Sequence, residues 1–223
     1  MSSPWSRAGE LLERHYRWLE IPEPKGSWRQ AAALLLDQSG KQSGKKLVES
    51  PEWEQTCLGT PEELAATGVS ELREHFEHLK LPEKALASLL GLANWWLAFV
   101  TDADPLLERT GDESLRESLH QVKGLSGEQA DRLVLFVFGR TLLPLNRTTI
   151  RVGCRHRWTS WDGNDEEWQG WFRQVLRDQD YSPQELAGWL IQAGKDYCSP
   201  QPKCGGCPLQ TLLPPSGPDE PLE

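Results

Sequence analysis

The sequence predicts an all-α protein, and three observations carry that expectation. Apolar residues recur at helical spacing along most of the 223 residues. No stretch alternates apolar and polar residues as a half-buried strand would. A glycine turn, Gly124-Leu125-Ser126-Gly127, joins two of the helical segments.

In chain order, a first helix is expected over Trp5–Glu20. Pro22-Glu23-Pro24 separates it from the second, Ser27–Asp37, because proline cannot continue a helix. Further helices are expected over Ser43–Val48, Pro61–Thr67, Ser70–His78 and Pro82–Val100. Leu115, Leu119 and Val122 mark one over Asp112–Val122, and past the glycine turn Ala130, Leu133, Val134 and Val137 resume an apolar face over Glu128–Phe138. Thr148–Arg157, Glu166–Asp178 and Pro183–Ala193 complete the set. From Pro200 the chain reads as loop, and the proline-rich tail, residues 211–223, is expected to be disordered.

Composition limits what such a helical chain can do. The length suits one large domain or two small lobes with a buried core, and eleven tryptophans among 38% hydrophobic residues supply much of that core. The N-terminus has no apolar signal core, and no apolar run reaches the roughly 18 residues that span a membrane, so a cytoplasmic protein is expected. Five cysteines form an odd set in a compartment where clustered thiols more often bind metal than pair.

A net charge of −9 opposes binding to a polyanion, so any nucleic-acid face must be locally basic. Two acid-free segments are. One carries Arg140, Arg147, Arg151, Arg155 and Arg157 between Gly139 and Trp161, and the other carries Lys41, Lys45 and Lys46. The acids concentrate elsewhere, in Glu71–Glu77, Asp102–Glu117 and Asp162–Glu167. The arginine segment follows the helix that the glycine turn introduces. Such a turn can aim backbone N–H groups and a helix N-terminus at one phosphate, which needs close approach and no base contact. An ordinary helical hairpin would give the same periodicity.

Gly124, Leu125, Glu128, Ala130 and Asp131 resemble the helix-hairpin-helix of the endonuclease III superfamily of DNA glycosylases, closest to its 3-methyladenine-type branch, with Ser126 where a second glycine is usual. Ser27–Gln38 is similar to that family's early helix ending in glutamine, Leu81-Pro-Glu-Lys-Ala85 to its Lys-Ala helix, and Gly194–Leu209 to its cluster loop. The resemblance covers most of the chain. It implies a two-lobed helix-hairpin-helix glycosylase fold with a C-terminal cysteine loop. A six-helix lobe over 27–140 would contain the hairpin at about 112–138, and 1–26 with 141–210 would form the second lobe, leaving a cleft between them.

The resemblance also assigns roles. Gly124, Leu125, Ser126, Gly127, Arg147 and Arg151 would hold DNA, and Gln38 would enter the space left by a flipped nucleotide. Trp28, Trp95, Trp96 and Tyr197 are aromatic candidates for stacking on that base, or for core. Glu128 stands where lyase members carry a Schiff-base lysine, so strand cleavage by that route is not expected. Asn146 stands where relatives place an aspartate, and an amide can neither take a proton nor offer a full negative charge to a sugar cation. Glu128 and Asn146 are the catalytic candidates.

The tail Cys198-x5-Cys204-x2-Cys207 has the spacing of thiolate metal ligands. The family pattern adds a fourth cysteine near the position of Leu213. A 4Fe-4S cluster would therefore have an incomplete ligand set of three local cysteines, with Cys154 or Cys57 as remote fourth ligands, and zinc or no metal as alternatives. The functional expectation is a monomeric base-excision DNA glycosylase acting on a damaged base in double-stranded DNA, without lyase activity and with weak turnover. The branch resembled suggests an alkylated base, and a bacterial source would make the protein nucleoid-associated. The alternative is a catalytically inactive, glycosylase-derived protein that binds damaged or distorted DNA.

Overall fold

The computed structural model describes residues 4–36, 50, 53–78, 81, 83–100, 106–177 and 179–221. These residues form α-helices and short 3-10 turns, with no strand among them, as the periodicity predicts. The helices are α1 (Pro4–Tyr16), α2 (Trp28–Leu36), α3 (Pro61–Ala66), α4 (Val69–His78), α5 (Glu83–Phe99), α6 (Leu106–Arg109), α7 (Asp112–His120), α8 (Gly127–Phe136), α9 (Arg147–Arg155), α10 (Asp165–Val175) and α11 (Pro183–Tyr197). The helix expected over 43–48, together with Gln38, Lys41, Lys45 and Lys46, lies outside the described residues. No helix of the described residues is long and apolar enough to cross a membrane.

The chain divides into two units, one of residues Pro24–Gly139 and one of Met1–Glu23 with Arg140–Glu223. In the 24–139 unit α5 is the centre. Its sequence is apolar nearly all round, which suits a helix covered on most sides, and α2, α3 and α4 pack against it. Leu86, Leu89, Leu92, Ala93, Trp95 and Trp96 of α5 are buried. Trp28 meets Trp96 edge to face at 5.7 Å, and its indole Nε1 donates to the Leu58 carbonyl at 2.9 Å. Trp95 stacks on Phe99 at 5.1 Å. Trp28, Trp95 and Trp96, considered from the sequence as base-stacking platforms, are core residues instead, each less than a tenth exposed. The Gly26 N–H donates to the Val137 carbonyl at 2.9 Å, tying the start of this unit to the end of α8.

In the other unit α11 is the element that the rest surround, with α1 and α9 packed on it and α1 also against α10. Ser182 and Glu185 form a reciprocal N-terminal cap and Pro183 occupies the first turn, where its missing N–H costs nothing. The helix runs to Tyr197, one turn beyond the expected Ala193, and so delivers Cys198 directly from its C-terminus. Trp158 and Trp171 stack at 5.4 Å, and Trp168 meets Trp171 at right angles.

The proline-rich tail, expected to be disordered, is held against this unit. The Asp219 N–H donates to the Arg155 carbonyl at 3.0 Å. Asp219 also accepts from Arg157 Nε at 2.8 Å, and Glu220 pairs with Arg155. Pro, Ser and Gly content argued against a core of the tail's own; two carboxylates reaching back to α9 and the residues just after it supply the order instead.

Candidate nucleic-acid interface and cysteine loop

The hairpin is built on a close backbone contact. Gly124 adopts φ +97°, in the left-handed region that L side chains rarely enter. Its Cα lies against α5, so that a Cβ there would fall 2.6 Å from the Ala87 backbone. Ser88, fully buried, donates its hydroxyl to the Gly124 carbonyl at 2.7 Å. One turn along α5, a Cβ on Gly91 would meet the Lys123 carbonyl at 2.2 Å. Small residues on α5 thus let the turn seat directly on the helix.

From this seat the chain enters α8. Ser126 has an ordinary φ of −84° and caps the helix, accepting from the Gln129 N–H while the Gln129 side chain accepts from the Ser126 N–H. The position where relatives use a second glycine therefore makes no demand for one here. Among the turns, loops and caps of the described residues, the Gly124 and Gly127 N–H groups donate to no backbone carbonyl. Gly127 and Glu128 lie in the exposed first turn of α8, where the helix dipole favours an anion.

Sequence reasoning missed what holds the two hairpin helices together. Asp131 of α8 is 2% exposed and is met by two side chains from α7. Arg116 donates to both carboxylate oxygens, at 2.8 and 3.3 Å, and His120 Nε2 lies 2.9 Å away. Arg116 and His120 stand four residues apart on one face of α7, and that spacing was the available signal.

The arginine segment is mostly consumed within the chain. Arg155 is buried, Arg157 is paired with Asp219, and Arg151 Nε donates to the Cys198 carbonyl at 2.9 Å. Arg147 stands exposed in the first turn of α9. Asn146, just before it, is the N-cap of α9: its Oδ1 accepts from the Thr148 and Thr149 N–H groups at 2.8 and 2.9 Å, and its own N–H donates to Thr149 Oγ1. Glu128 belongs to the 24–139 unit and Asn146 to the other.

Cys198, Cys204 and Cys207 gather in the loop after α11. The 3-10 turn Cys204–Gly206 brings the Cys207 N–H to the Cys204 carbonyl at 3.1 Å. Burial pushes the Cys207 thiol up to about 11 and raises that of Cys198 even beside Arg155. These residues line a cavity of about 20 Å³ shared with His156, Leu209 and Leu213, room for about one water. Leu213 stands in the wall where the implied fourth cysteine would be. Of the remote candidates, Cys154 faces Thr159 Oγ1 at 3.9 Å and Cys57 belongs to the other unit. Among the described residues no group of three or more His, Cys, Asp or Glu side chains is placed to hold a metal ion. The residues present do not fit a four-thiolate cluster.

No family model matches the sequence, and no curated protein is detectably similar to it. Solved structures are similar across nearly the whole chain. A trapped covalent intermediate of endonuclease III with DNA, an estranged-adenine complex, matches at TM-score 0.66 and 16% identity, covering 96% of each chain. A non-covalent endonuclease III–DNA complex gives the same values. A thermostable thymine-DNA glycosylase matches at TM-score 0.62 and 15% identity, over 94% of this chain and 95% of that one. The protein is all-α, and it has the fold of endonuclease III.

Two outcomes follow from the geometry. Gly124→Ala must strain a left-handed backbone and displace α5, at a combined cost of about 2–4 kcal/mol; urea unfolding of the variant measures it, and an unchanged midpoint would remove the seat described above. His156 is buried with Nδ1 2.7 Å from the Val152 carbonyl and Nε2 3.3 Å from that of Leu209. Burial holds its pKa below the ordinary value although both carbonyls pull the other way. Its folded-state pKa is thus lower than in the unfolded chain, so its contribution to stability is present above about pH 6.5 and is lost as pH falls through the folded-state value. A His156→Gln variant should show a shallower loss of thermal stability between pH 7 and pH 5 than the parent.

Proposed function

We propose that this protein is a DNA-repair protein of glycosylase type. It grips the backbone of double-stranded DNA through the Gly124–Gly127 turn and Arg147, and it releases a damaged base, an alkylated one by resemblance, without cutting the strand. It acts as a monomer in the cytoplasm, on the nucleoid if the source is bacterial. The observation that carries the reading is the seated glycine turn opening into a capped helix with an exposed first turn, within a fold shared with endonuclease III bound to DNA. Leu125 and Ser126 shape the turn, and Arg151 of α9 serves as a further phosphate contact while its Nε anchors Cys198. Gln38 fills the vacated duplex position.

The chemistry is weak in this reading. Glu128 places a carboxylate in the first turn of α8, where it can carry a proton but cannot form a Schiff base. Asn146 offers its amide oxygen to two backbone N–H groups of α9. An aspartate in that cap would accept the same two bonds and add the negative charge that a developing sugar cation needs. This capping role supports the second reading, a protein that binds distorted DNA without turnover, because the side chain at the decisive position is neutral.

Binding and base release on duplexes carrying alkylated purines, oxidised pyrimidines, an abasic analogue or no lesion separate the two. The glycosylase reading expects slow release from at least one lesion and a rise of about a hundredfold or more in Asn146→Asp, with affinity little changed. Release that survives Glu128→Gln would remove Glu128 from the chemistry. No release by the parent or by Asn146→Asp across the panel, with affinity for the abasic duplex retained, would leave the binding protein.

A further inference from the structure

We propose that the cysteine loop holds no metal and is closed by protein alone, with the Arg155 guanidinium as its organising centre and the C-terminal tail as its cover. A metal centre orders such a loop by drawing several donors to one point. Here the guanidinium, 3% exposed, does so. Its Nη1 donates to the Ser199 carbonyl at 2.7 Å and lies 3.4 Å from Cys198 Sγ. Its Nη2 donates to the Pro200 carbonyl and to Glu220, each at 3.1 Å. Nε completes the set 2.9 Å from the other Glu220 oxygen, close enough for an ion pair although not aligned as a hydrogen bond.

Burying a guanidinium is costly unless its donors are met and its charge is neutralised, and the tail meets both conditions. Glu220 supplies the charge, and the Asp219 N–H fixes the tail on the Arg155 carbonyl. Arg151, one turn earlier on the same face of α9, holds the Cys198 carbonyl. Leu209 is fully buried, and Leu213 rather than a fourth thiolate lines the cavity with the three cysteines. The loop and the tail therefore form one latch, in which residues 214–221 replace an inorganic core as the element that completes it.

The test measures iron and zinc in anaerobically purified full-length protein, before and after incubation with ferrous iron and sulfide. Thermal melting follows with and without a chelator, and for Cys204→Ser/Cys207→Ser, Glu220→Gln and Arg155→Met. The latch expects less than about half an atom of either metal per chain, no visible absorption, and melting shifts below about 2 °C for chelator and for the cysteine double variant. Glu220→Gln should lower the melting temperature by about 4 °C or more, the scale of a lost charge pair worth 1–2 kcal/mol in a chain of this size. Arg155→Met should lower it further; if that variant does not fold, Glu220→Gln and the metal content still decide. Iron or zinc at or above about half an atom per chain, or a chelator-dependent melt, overturns the proposal. So does an unchanged melt in Glu220→Gln.

Discussion

The hydrogen bond from Ser88 to the Gly124 carbonyl, at the bottom of a glycine-sized gap between backbones, is the contact on which the functional face depends. It fixes the height of the turn on α5, and the turn fixes where α8 begins. Had Gly124 carried any side chain, the turn would stand off α5 and its N–H groups would point elsewhere. The cluster of Arg116 and His120 around the buried Asp131 then ties α7 to α8, so the first turn of α8 is presented by a braced helix pair rather than by a loose loop. A phosphate site made of backbone donors needs this rigidity, because its donors cannot move to meet the ligand.

Charge explains the division of labour around that face. A chain of net charge −9 cannot attract DNA as a whole, and several arginines of the basic segment at 140–157 are engaged within the chain. Arg151 and Arg155 organise the loop after α11, and Arg157 binds the tail. Within the turn and the 140–157 segment, the donors that the proposed reading assigns to a polyanion are the backbone groups of the turn and the exposed Arg147. Affinity of this kind is modest and strongly dependent on salt, because it comes from phosphate neutralisation rather than base contacts.

Much of the fold was legible because its signals are local. Proline and glycine punctuation, helical periodicity and the Gly124 turn placed most helices within a few residues of their observed ends. The role of Ser126 was legible in principle too, since Ser-x-x-Gln is a capping pattern. What escaped the sequence depends on contacts distant along the chain. Arg155 reads as one more cation in a basic run, yet it is buried by residues 44 to 65 positions away. Asp219 and Glu220 read as charges in a disordered tail, and only their partners on and just after α9 make them structural. Trp28, Trp95 and Trp96 could not be sorted between base stacking and core by residue type alone, because both roles use the same apolar ring. At Asn146 the family position was found by counting, whereas its capping bonds needed coordinates.

The central claim is that the Gly124–Gly127 turn touches DNA. Titration of the labelled protein with a short duplex carrying an abasic-site analogue, followed by amide chemical shifts, tests it at the groups concerned. The account predicts that the largest shifts fall on the Gly124, Gly127 and Glu128 amides and fade as salt is raised. Binding that leaves those amides unmoved, or no binding at low salt, would contradict it.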